Sequence, residues 1–394
     1  MSIRAYFRPA VLTAILALAA AAGAQEEQWL QYRSAREASQ MTGGLSTIQV
    51  ELTGDRPAGV KLPESTGEIS FFGKWSTPMA TSGYLWIALD RAAQSGLQSP
   101  LYIDSNGNGR LDDETPVTAY RMDQYNAYFG PVKVIFQVED GPVTYHLNMR
   151  LSMRDGSSGK LYVSAGGWYE GDITVGGTKK HCVLLDYNAN GTFNDRSPDP
   201  GQCDRIQISE KNTPDTVYVG KYLEVDGTLY QPEIARDGAY VKLAEAEGVK
   251  WGVVRLSETV SEFSAGGENG LFALKPENGV AKLPVGKYRV IEWTAERKDD
   301  SGAQWKLQGI GLLSDGSSFD VREGEETALE IGEPVVAIVQ ATAREGTYSF
   351  NQSLKGRHGE RIELTRNGAQ PQAPRLNIRN KDGTYDRTFS FSYG

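Results

Sequence analysis

Residues 144–153 read TYHLNMRLSM, with Tyr145, Leu147, Met149, Leu151 and Met153 at every second position. A strand turns successive side chains to opposite faces, so this alternation predicts a strand with one face in a core. Outward from it, IQVEL (48–52), EISFFGKW (68–75), YLWIALD (84–90) and VKVIFQV (132–138) are alternating or β-rich runs, separated by Gly, Pro, Asn and Asp clusters. Turn signals at this spacing predict an all-β, multi-domain β-sandwich protein. With 44 Gly and 19 Tyr, the composition also favours short strands and turns. Residues 25–43 (QEEQWLQYRSAREASQMTG) are the one stretch expected to be helical.

The first 24 residues predict export. Arg4 and Arg8 precede an apolar run that closes on Ala22-Gly23-Ala24, the three-part pattern of a secretory signal. No later run is long and apolar enough for a membrane span, so a secreted or periplasmic mature chain is expected. Removing residues 1–24 leaves 39 basic against 50 acidic side chains, a net charge of −11. That balance excludes nucleic acid as a partner, because neutralising phosphates needs clustered Lys and Arg. It suits divalent cations.

The chain repeats one motif. LYIDSNGNGRLDDETP (101–116) and VLLDYNANGTFNDRSP (183–198) align without a gap, 82 residues apart. Positions 1, 3 and 5 of the loops are Asp104, Asn106 and Asn108, then Asp186, Asn188 and Asn190. Position 6 is glycine, and position 7 (Arg110, Thr192) offers a backbone carbonyl. Position 8 is apolar, position 9 is Asp112 or Asn194, and position 10 is Asp113 or Asp195. Calcium takes six to eight oxygens, and this spacing wraps most of them from one tight loop. An acidic hairpin turn is the competing reading of a single copy; the gap-free echo favours metal. The pattern resembles the Asp-x-[Asp/Asn]-x-[Asp/Asn]-Gly calcium loop of EF-hand and dockerin proteins. It departs at position 12, where Thr115 and Ser197 replace the bidentate Glu, and both loops follow strands instead of helices. The expectation is a structural calcium site in a β protein, with the first loop, richer in carboxylates, binding more tightly.

The division expected from these signals is a signal peptide over 1–24, an N-terminal segment over 25–43, and a β region with both loops over 44–212. A β-sandwich follows over 213–320, and a C-terminal β module over 321–394. Leu283-Pro284-Val285-Gly286-Lys287-Tyr288-Arg289-Val290 resembles the start of a strand in prealbumin-like, carboxypeptidase-regulatory-type sandwiches, which implies that Tyr288 sits on a core face. Cys182 and Cys203 are the only cysteines, and in an oxidising compartment they are expected to form a disulfide around the second loop, stabilising by about 3 kcal/mol.

No catalytic constellation stands out. The three histidines (His146, His181, His358) have no zinc-ligand spacing, and there is no nucleophile elbow or P-loop. GGWYEG (166–171) offers Trp168 and Tyr169 as an aromatic platform for sugar or protein, against the plainer reading of a packed strand end. Asn380 to Asp386 and Asp315-Gly316 read as hairpin turns. The sequence therefore predicts an exported calcium-binding protein acting as a binding, scaffold or surface component, with carbohydrate or a surface protein as partner. The alternatives are a secreted polysaccharide hydrolase with structural calcium and a calcium-dependent adhesion module.

Overall fold

The computed structural model describes residues 26–36, 45–63, 68–91, 100–139, 141–153, 159–197, 199–209, 216–311 and 318–393. The expected signal sequence lies outside the described residues. Among them the fold is all-β: thirty strands form seven sheets, joined by one 3-10 turn at Pro200–Gln202. No helix among the described residues is long and apolar enough to cross a membrane.

The alternation of residues 144–153 appears in strand Gly141–Ser152, whose Tyr145, Leu147, Met149 and Leu151 are buried while His146, Asn148 and Arg150 are half-buried. Each such apolar side chain contributes about 1.5–3 kcal/mol by leaving water. The strand lies between Asn126–Val138 and Lys160–Ala165 in a five-stranded antiparallel sheet. Its buried face joins one large core shared by four sheets. Trp75, Ile87 and Ile103 enter from the sheet of Glu68–Ser76, Tyr84–Arg91 and Leu101–Ile103. Leu184 and Ile206 come from the sheet holding Thr178–Leu185, and Leu223, Val241 and Leu243 from the four-stranded one. A second core gathers Val254, Phe263, Leu283, Tyr288, Trp293, Leu307 and Ile362. Tyr288 is buried there, donating its hydroxyl to the Pro284 carbonyl at 2.7 Å and accepting from Asn269 Nδ2 at 2.9 Å.

Two expectations are corrected. The stretch expected to be helical is extended over its described residues. Gln28–Trp29 pairs with Tyr240–Glu245, and Gln31–Ser34 pairs with Gly167–Val175. Leu30, between them, is buried where the chain passes from one sheet to the other. Docking onto two sheet edges satisfies the backbone and buries Leu30 and Ala35, which outweighs a weak helical pattern.

The disulfide is also absent: Cys182 and Cys203 are free and buried. Cys182 pairs in register with Ile208, and Leu185 with Arg205. Cys203 precedes Arg205 by two residues, so the cysteines are offset by five positions of the ladder, or ~17 Å at the rise of a strand. A disulfide spans Cα atoms no more than about 7 Å apart. Cys182 packs in the first core, where burial pushes its thiol up to about 12. The Cys203 Sγ instead donates to the Ser197 carbonyl at 2.8 Å and accepts from the Ser197 amide at 3.0 Å. Titration of the protein with a thiol reagent is therefore expected to find both cysteines only after denaturation, and a reductant should leave the melting temperature unchanged. A melting temperature lowered by reductant would contradict the free thiols.

Candidate metal centre

The first loop starts where strand Leu101–Ile103 ends. Asp104 is only 2% exposed, and its carboxylate accepts from the Asn108 amide at 3.0 Å and the Gly109 amide at 2.9 Å. Asn106 Oδ1 accepts from the Asn108 amide, and Asn108 Oδ1 from the Arg110 amide. Each side chain thus folds the backbone around itself, as Asx turns do. The two left-handed positions the loop needs are Gly107 (φ 71°) and Gly109 (φ 78°). Leu111 anchors it in a small core with Val60, Phe72, Ala88 and Tyr102. The Asn108 and Asn106 side-chain amides reach one oxygen, Asp113 Oδ2, at 2.7 and 3.4 Å. Asp112 does not join them. It is turned outward into a bidentate pair with Arg110, both contacts at 2.8 Å.

The second loop, at the end of strand Thr178–Leu185, reproduces this arrangement. Asp186 accepts from the amides of Asn190 at 3.2 Å and Gly191 at 2.8 Å. Asn188 Nδ2, Asn190 Nδ2 and Thr192 Oγ1 lie 3.0, 2.6 and 2.8 Å from Asp195 Oδ2. Asn194 turns away to the Ile234 carbonyl at 3.4 Å. In both loops, then, positions 1, 3, 5 and 10 draw together and position 9 does not. Among the described residues no three Asp, Glu, His or Cys side chains form a metal cluster; each loop instead combines two carboxylates with asparagine amides.

The sequence reading missed three partners, Asp204, Tyr145 and Trp75, all of the second loop. In the first loop Glu114 accepts from both the amide and the hydroxyl of Ser105, each at 2.7 Å. In the second loop the same role, capping the position-2 amide, falls to Asp204, which accepts from the Tyr187 amide at 3.0 Å and the Asp195 amide at 2.8 Å. Glu114 was visible as an acid beside the motif, whereas Asp204 follows it at a distance no calcium pattern marks. Tyr145 donates its hydroxyl to Asp186 at 2.7 Å, and Trp75 Nε1 donates to the Ala189 carbonyl at 2.8 Å. Trp75 and Tyr145 stack at 5.7 Å between centroids, so the loop is pinned from two other sheets. That support also holds Ala189 at φ 52°, a left-handed conformation where the first loop uses glycine.

The loops differ in burial. Asn106, Gly107, Asn108 and Gly109 are exposed, whereas Ala189, Gly191, Thr192 and Phe193 are buried. Burial raises the Asp186 carboxyl to about 7, against the lowering effect of its hydrogen bonds from Tyr145, Gly191 and Asn190. Asp204 is raised well above the carboxylate range, first by burial and then by Asp186 and Asp195. Burial also raises Asp104 and Glu114. The nearby Arg205 does not point its guanidinium at these acids. It donates to the carbonyls of Cys203, Asp204 and Pro200 and lies between the rings of Tyr187 and Tyr218, 4.0 Å from each centroid. Among the described residues, the acids of the second loop therefore crowd one another without an ion pair to a cationic side chain. Oxygen donors of this kind, lacking His or thiolate, fit a hard cation such as calcium.

Other candidates are structural. Trp168 is buried and donates to Glu170 at 2.8 Å, so GGWYEG packs its indole inward. Asn380 to Tyr385 is the turn between the paired strands Arg375–Arg379 and Asp386–Ser390. Asp315-Gly316 lies outside the described residues.

The raised Asp186 carboxyl has a defined sign. Its folded value lies above the ordinary carboxylate range, so the folded state holds a proton that the unfolded chain has released. Without calcium, stability is expected to fall as pH rises from about 4 to about 7, by on the order of a few kcal/mol. Thermal melts in chelator should give a lower melting temperature at pH 7.5 than at pH 5, with Asp186→Asn flattening the slope. A slope unchanged in that variant would assign it elsewhere.

No family model matches this chain, no curated protein matches it, and no solved structure matches its fold.

Proposed function

We propose that this chain is an exported calcium-binding β protein in which calcium is a structural ion, and that it acts as a binding, scaffold or surface-associated component. The observation that carries this reading is the repeat in three dimensions. In two loops 82 residues apart the side-chain amides of positions 3 and 5 converge on one oxygen of the position-10 carboxylate, position 1 accepts the backbone amides of positions 5 and 6, and a further acid caps position 2 of each. Asp104, Asn106, Asn108 and Asp113 would hold one ion, and Asp186, Asn188, Asn190 and Asp195 the other. Backbone carbonyls at Arg110 and Thr192 complete the oxygen set in this reading. When bound, the ion supplies the positive charge that these carboxylates lack.

Two features reverse the order of affinity expected from carboxylate counts. Asp112 is engaged by Arg110, which removes the apparent excess of the first loop. Asp204 beside the second matches Glu114 beside the first, and Trp75 and Tyr145 hold the second loop at Ala189 and Asp186, which preorganises its donors. The second loop is therefore read as the tighter site and the brace between sheets. The first is the more open one. Export through the leader at residues 1–24 belongs to the same reading, since extracellular calcium modules work at about 10⁻⁴–10⁻³ M.

Calorimetric titration of the mature chain with calcium is expected to give two events in that range, with the tighter one changing Trp75 fluorescence. Asp186→Ala should abolish the tighter event and Asp104→Ala the weaker, while Asp204→Asn should weaken the tighter by about tenfold through loss of a negative charge beside the ligands. Absence of both heat and thermal shift with calcium would overturn the reading.

A further inference from the structure

The second core is capped by an eight-stranded sheet that runs from Gly270–Leu274 at one side to Val336–Arg344 at the other. The first of these edges is covered. Its neighbour Asn269 hydrogen-bonds the Tyr222 amide through its carbonyl, and the strand lies against Val217–Tyr218 and Leu223–Val225. The other edge is open. Strand Val336–Arg344 pairs in nine uninterrupted positions with Thr347–Lys355, and no strand among the described residues takes its outer side. All nine of its residues are exposed.

Soluble proteins protect such an edge with lysine, proline, a bulge or a short strand. None of these is present. Residues 335–343 read VVAIVQATA, without a charge or a proline, and the pairing has no bulge. Val336, Ile338 and Val339 remain 53, 37 and 49% exposed. The outer amides and carbonyls of this strand call for another strand. A lipid surface could not satisfy them, because open sheet edges are excluded from hydrocarbon.

We propose that a second copy of this chain occupies the edge, through antiparallel pairing of Val336–Arg344 with itself about a two-fold axis at Gln340. This register is self-complementary. It sets Val339 against Ala341 and Ile338 against Thr342, large against small, Ala337 against Ala343 and Val336 against Arg344, with Gln340 facing its symmetry mate. The Arg344 side chains fall at opposite ends, ~27 Å apart at the strand rise and beyond the screening length of physiological salt. Like charges are therefore not opposed. The contact closes on itself, because the covered edge at Gly270–Leu274 gives a third copy nowhere to continue the sheet. A ladder of ~30 Å on each side, with the exposed Tyr348 of the adjacent strand, buries roughly 1,000 Å² in total, the lower bound for a specific interface.

Sedimentation equilibrium of the mature chain across about 1–100 µM, a range that brackets micromolar dimers, should show twice the monomer mass at the upper end. Gln340→Lys and Gln340→Glu each place like charges face to face and should be monomeric, with unchanged circular dichroism since Gln340 is exposed. Mixing the two variants should restore a dimer. Hydrogen exchange of residues 336–344 should slow with concentration in the wild type alone. A wild type that stays monomeric overturns the proposal, as does a mixture that stays monomeric.

Discussion

The hydrogen bond from Tyr145 to a fully buried Asp186 is the constraint on which the first core depends. A carboxylate out of water costs several kcal/mol unless it is protonated, hydrogen-bonded or matched by a cation. Here the chain provides the hydrogen bonds from three directions: two loop amides, the phenol of a strand in another sheet, and indirectly the indole that holds the loop backbone. The aromatic side chains that fill the core therefore also fix the loop. Trp75, Tyr145, Phe193 and Tyr169 touch in sequence, so packing and polar satisfaction are one arrangement.

Much of this was legible in the sequence, for physical reasons. Period-two alternation fixes which side of a strand is buried, as at Tyr145, Leu147, Met149 and Leu151. The repeated Asp and Asn spacing identified the residues that draw together, because loop geometry is local and two copies constrain each other. What escaped was set by distant chain. The N-terminal segment became extended because sheet edges were available to it, which no local propensity records. The cysteine pair suggested a bridge by its number and compartment, yet the register of Cys182 against Ile208 puts the partners far apart. Position 9 was judged by residue type alone. Arg110 in one loop and the Ile234 carbonyl in the other decided where its side chain went.

The same division separates the two loops. They share a sequence pattern and a local hydrogen-bond scheme, but one is set at the rim of a small three-stranded sheet and the other where large sheets meet. Identical local chemistry acquires different electrostatics from its surroundings. Burial acts on Asp186 more than on the solvated remainder of the first loop, and it makes the second the place where charge and stability are most tightly linked.

The source of the position-2 cap has a consequence of its own. In the first loop the capping acid is nine residues from the amide it holds, so the motif carries its side-chain caps within one short segment. In the second, the cap, the phenol and the indole lie 17, 41 and 114 residues from their partners. The first loop is in effect a portable cassette that could be grafted between the strands of another sheet with its geometry intact. The second exists only once the surrounding chain has come together, and it belongs to the fold more than to its own sequence.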